Sequence, residues 1–137
     1  MFKSKNYSIK MLKILASCSV AGEKFSPTAF TKISSVKLVR TNEPGDIGNK
    51  GRYRRKPKPY GSASIEISNK TKGWSHLLTV MESCIDALRE TGAEDITLSI
   101  GLFYDGQCNF ELSKKDLKRI AALNIEMSIS CYSNELK

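Results

Sequence analysis

The chain has 137 residues, of which 40% are hydrophobic and 26% charged, and a net charge of +8; this suits one globular domain and excludes disordered, collagen-like and coiled-coil classes. No stretch approaches the roughly 18–20 apolar residues of a membrane span, because Lys10 and Lys13 break the candidate near the N-terminus. The charge is uneven, with 16 Lys and Arg against 4 Asp and Glu in residues 1–72 (+12) and 6 against 10 in residues 73–137 (−4).

Lys3, Lys5 and Lys10 ahead of apolar Met11 to Val20 mimic a secretion signal, and Leu15-Ala16-Ser17-Cys18 resembles a lipoprotein cleavage box. Lys13 interrupts the apolar run that such a signal needs, so a cytoplasmic protein is expected. Cys18, Cys84, Cys108 and Cys131 are far apart, with no C-x-x-C pair and one histidine, which speaks against structural zinc and for free thiols.

In chain order, Leu12, Ile14, Ala16, Cys18 and Val20 alternate with polar residues, predicting a strand within Tyr7–Val20, and Ala21 to Lys24 a turn. Ser26-Pro27 is an N-cap followed by proline at the first helical position, predicting a short helix to Ile33. Val36–Val39 reads as a second strand. Residues 42–61 have no apolar periodicity, hold Gly45, Gly48 and Gly51, and form a long loop; such loops in small domains tend to carry function. Ser62–Ile67 alternates as a strand.

Trp74, Leu77, Leu78, Met81, Ile85 and Leu88 recur at helical spacing from Gly73 to Thr91, with Gly92 as the stop. Ile96, Leu98, Ile100 and Leu102 alternate up to Asp105-Gly106, a turn dipeptide that predicts a hairpin returning through Cys108, Phe110 and Leu112. Ser113 to Asp116 caps a helix over Leu117, Ile120 and Ala121 that stops at Asn124, and Ile125, Met127, Ile129 and Cys131 alternate as a final half-buried strand. The order β-α-β-loop-β-α-β-β-α-β predicts a single α+β domain over 1–137 in two layers, a mostly antiparallel sheet with helices on one face.

Candidate chemistry is sparse. His76, the lone histidine, lies in a helical first turn with no G-x-S-x-G motif in the chain, so it reads as a packed or surface residue and no catalytic residue is assigned. Gly45 to Gly51 matches neither a P-loop nor a dinucleotide fingerprint, and no cofactor or metal is expected. Two surfaces remain. Lys50, Arg52, Arg54, Arg55, Lys56 and Lys58 place six cations in nine residues, interleaved with Tyr53 and Tyr60. Such a mixture suits carboxylates at protein hot spots and also phosphates and bases. Glu82, Asp86 and Glu90 line one helical stripe, an alternative partner surface or simply a solvated face.

Phe25-Ser26-Pro27, Gly45-Asp46 with Gly51, Gly73-Trp74, Leu112-Ser113 and the strand Ile125 to Tyr132 together resemble a family of small bacterial domains without established activity. Its members look like cytosolic immunity proteins encoded beside polymorphic toxins, including contact-dependent growth inhibition systems. The resemblance spans residues 10–133 and implies an α+β fold and a non-enzymatic protein that neutralises a cognate toxin, such as a nuclease domain. It supplies no catalytic residues, and the Arg52–Lys58 run has no counterpart in it. The competing expectation is a nucleic-acid-binding module that uses the same loop; no membrane partner is expected.

Overall fold

A computed structural model describes residues 12–67 and 73–133. Within them the elements run β1 (Lys13–Gly22), α1 (Pro27–Ile33), β2 (Val39–Asn42), β3 (Gly61–Glu66), α2 (Ser75–Glu90), β4 (Asp95–Tyr104), α3 (Lys114–Leu123) and β5 (Glu126–Ser133), with a 3₁₀ turn at Gly51–Tyr53 between β2 and β3. The strands form one sheet in the order β2-β3-β1-β4-β5. β1 is antiparallel to β3 and β4, and β2 to β3; only β4 and β5 run parallel.

Side-chain alternation divides the sheet into two unlike faces. Cys18 stands opposite Ile65 and Leu98, and Val20 opposite Ala63 and Ile96, so the buried residues of three central strands share one face. That face meets the apolar stripe of α2, where Leu77, Leu78, Met81, Cys84, Ile85 and Leu88 are buried, and is completed by Phe25 and Phe30. The other face presents Ser17, Ser19, Ser62, Ser64, Thr97 and Ser99. The architecture is the expected α+β fold with an open, mostly antiparallel sheet.

Local chemistry sets the helix ends. The Ser26 hydroxyl accepts from the Ala29 N–H at 3.1 Å with Pro27 at the first helical position, and the Ser113 hydroxyl accepts from the Asp116 N–H at 3.0 Å. α3 stops at Asn124, whose φ of 54° lies in the left-handed region that asparagine tolerates. Arg89 of α2 donates to the freed carbonyls of Leu123 (2.6 Å) and Asn124 (2.9 Å), tying the end of α3 to its neighbour. Leu15 to Cys18 lie inside β1, with Cys18 in the core; burial, reinforced by nearby Cys84, pushes the Cys18 thiol up to about 12.

Four expectations change. β1 spans Lys13–Gly22 and so takes in Ala21 and Gly22 of the expected turn, while residues 7–11 of the expected strand lie outside the described residues. The second strand lies at Val39–Asn42 rather than Val36–Val39; Val36 and Leu38 pack on the core from irregular backbone. The hairpin after Asp105-Gly106 does not form, because β1 and β5 already occupy both edges of β4 and leave no ladder for Cys108 to Leu112. Phe110 instead packs against Trp74, with ring centroids 5.8 Å apart. β5 lies at the sheet edge and is largely exposed rather than half-buried.

Candidate functional site

The segment between β2 and β3 is a structured loop. Asn42 donates from Nδ2 to the Tyr60 carbonyl at 2.9 Å and accepts from the Ser62 hydroxyl, which closes the base. Above it, Gly45 N–H donates to Lys58 O (2.7 Å) and Lys58 N–H to Asp46 O (2.8 Å). Gly48 N–H then donates to Lys56 O (2.9 Å) and Arg55 N–H to Gly48 O (2.8 Å). These rungs, with bridges between Ile47 and Pro57 and between Gly48 and Arg54, make a short irregular ribbon whose tip is the 3₁₀ turn. Gly48 is required there, since a Cβ would run into the Tyr53 carbonyl.

Glu43 locks the ribbon to the body of the protein. Its carboxylate accepts from the Thr28 N–H at 2.8 Å and from the Ser26 hydroxyl at 2.7 Å, so it caps the N-terminus of α1 together with Ser26. Burial raises the Glu43 pKa, but these hydrogen bonds outweigh it and hold the carboxyl below its ordinary value of 4.5. A depressed carboxylate contributes stability that is complete above 4.5 and is lost as pH falls through the lower folded value. Glu43→Gln is therefore expected to cost about 1 kcal/mol at pH 7 and to flatten the loss of stability below about pH 4.5. Urea unfolding at pH 7 and at about pH 3.5 checks this: the difference between variant and wild type must shrink at the lower pH.

The ribbon brings together all eight residues of the basic candidate surface. Lys50, Arg52, Arg54, Arg55 and Lys56 are exposed, and Lys58, Tyr53 and Tyr60 are partly buried. Tyr53 and Tyr60 meet edge to face at 5.9 Å, and the Arg52 guanidinium lies 5.6 Å from the Tyr53 ring centre. Among the described residues, none of the six cations is paired with a carboxylate within 4.0 Å. Ile47 projects from the same ribbon with 64% of its surface exposed. Arg55 holds a φ of 63°, a conformation that costs a non-glycine residue roughly 1–2 kcal/mol.

The acidic stripe is less free than its spacing suggests. Arg119 of α3 forks onto Glu82, with Nε to Oε2 at 2.9 Å and Nη2 to Oε1 at 2.8 Å, and also bonds Thr79 and Asp116. The hydrogen bond from Arg119 lowers the Glu82 pKa, which makes Glu82 part of the contact between α2 and α3. Asp86 and Glu90 are exposed. His76 is half-buried in the first turn of α2.

Two shallow depressions accompany these surfaces. One of about 390 Å³ lies on the sheet face opposite α2, between Arg40, Tyr60, Ser62 and Asp95. The other, of about 250 Å³, is lined by Arg89, Glu94, Asp95 and Glu126, and its arginine is already committed to α3. Among the described residues no group of three metal-ligating side chains converges, and no helix is long and apolar enough to cross a membrane. The role of Glu43 was invisible in sequence, because its partners lie 15 and 17 residues away. Comparison of the chain with protein-family models, with curated proteins and with solved structures found no match.

Proposed function

We propose that this chain is a non-enzymatic binding protein that captures an acidic partner protein on the 43–60 ribbon, in the manner of a cytoplasmic immunity protein neutralising a cognate toxin. One observation carries the reading: a backbone-braced ribbon holds six cations, none of them ion-paired among the described residues, around the exposed Ile47. Preorganised cations avoid much of the ordering cost of binding and speed capture of an acidic surface. The strained backbone at Arg55 fits a side chain retained for contact, since glycine would relieve the strain. Neutralisation would follow from occlusion of the toxin's active site or of a surface that it needs.

Phosphates would also suit the six cations, so nucleic acid is the second reading. Two features favour protein. Ile47 offers an apolar contact rather than a stacking plane, and the Tyr53 ring is already engaged by Arg52 and Tyr60. Capture of partners from the source cells on the tagged protein, with and without nuclease, tests the choice. A stoichiometric acidic protein that survives nuclease is expected. Recovery of nucleic acid alone, or of protein that disappears with nuclease, would overturn the proposal.

A further inference from the structure

β5 has the composition of an interior strand and the position of an edge strand. It pairs with β4 alone among the described residues, and from Met127 to Ser133 it holds no charge, proline or glycine. Natural edge strands are protected by such residues, by bulges or by shortness. The opposite edge has these protections: β2 spans four residues, its register shifts between Val39 and Asn42, and Arg40 there takes a φ of 51° and pairs with Glu66 at 2.5 Å. Among the described residues one edge of the sheet is blunted and the other, over Met127–Tyr132, has no strand beside it.

β5 exposes a large apolar side chain on each face, with Ser128 and Ser130 beside the second. Ile129 stands beside Ile100 on the helix-bearing face and is 46% exposed. Tyr132, on the other face, is 50% exposed and stacks on Phe103 at 4.8 Å, with exposed Leu15 on the same face. A strand added in the plane of the sheet would pair the outer backbone groups of β5 and set its own side chains beside Ile129 on one face and Tyr132 on the other.

We infer that the β5 edge is a homodimer interface, at which β5 of a second copy adds antiparallel about a two-fold axis to give a continuous ten-stranded sheet. A second copy fits better than the acidic partner proposed above, because Met127–Ser133 carries no charge for such a partner to read. Each copy brings the same uncharged edge, and the blunted β2 edge closes the assembly at two copies instead of a filament. The net charge of +8 does not oppose this. The basic ribbons lie at the far edge, and at about 4.8 Å per strand they stand more than about 30 Å apart, several Debye lengths at physiological salt.

Sedimentation of the full chain under reducing conditions, from about 1 to about 200 μM, tests the inference in the range expected for a small interface. The mass is expected to rise from 15.3 kDa toward twice that value. Ile129→Lys and Tyr132→Glu, each with unchanged far-ultraviolet circular dichroism, are expected to weaken dimerisation at least tenfold. In the wild type, amide exchange at Met127–Tyr132 is expected to slow with concentration, a readout that needs no variant. A monomer throughout, a dimer indifferent to both folded variants, or β5 exchange independent of concentration would each overturn the inference. Capture of a partner by the basic ribbon is a separate readout and is expected to survive both substitutions.

Discussion

Replacing Arg54, Arg55 and Lys56 together by alanine is expected to weaken partner binding by about 100- to 1,000-fold, roughly 3–4 kcal/mol, with little change in stability. These side chains are exposed and none takes part in an ion pair among the described residues, so the folded state has little to lose. Part of the loss is expected in the association rate, growing as salt is lowered, because steering by clustered charge is screened over about 10 Å at 0.1 M salt. Arg55→Gly separates contact from architecture. It releases the left-handed strain at φ 63°, so it is expected to hold or raise the melting temperature while still weakening binding. Calorimetric titration and thermal unfolding of the same variants check both halves. A folded triple variant that binds as tightly as the wild type would remove the ribbon from the interface.

Gly61→Ala is expected to be the most damaging single substitution at the ribbon, costing about 3 kcal/mol or more and lowering the melting temperature by about 10 °C. The reason is steric. A Cβ at Gly61 collides with the Phe25 carbonyl and closes to 3.1 Å on Pro44, where β3 passes under the start of α1. Gly45 and Gly51 are the controls: both have positive φ, of 94° and 70°, but nothing lies within 4 Å of an added Cβ. Alanine there pays only the conformational term, about 1 kcal/mol. Denaturant midpoints for the three variants separate the effects. Equal losses at all three positions would mean that Gly61 serves conformation rather than the close approach of two backbones.

What could be read from sequence was what is decided within a few residues. Ser26-Pro27 and Ser113 start helices through bonds to the third residue on, and the spacing of Leu77, Leu78, Met81, Ile85 and Leu88 identifies the buried face of α2. What failed depended on distant partners. Asp105-Gly106 is a sound local turn signal, yet the following segment forms no strand because β4 is paired on both sides by segments far away in the chain. The apolar alternation of β5 was legible, but not that it would lie uncovered. The basic cluster could be found by counting charges. That the segment is braced rather than slack rests on pairs such as Gly45 with Lys58 and Glu43 with Thr28, which no local pattern signals.

The 43–60 ribbon is proposed as the surface that meets the partner. Hydrogen exchange of the chain, alone and saturated with its captured partner, tests it most directly. Slowed exchange is expected at Ile47 and Asn49–Lys56, with the amides of α2 around Asp86 and Glu90 unchanged. Protection centred on Asp86 and Glu90, with the ribbon exchanging as in the free protein, would contradict the account and move the interface to the acidic face.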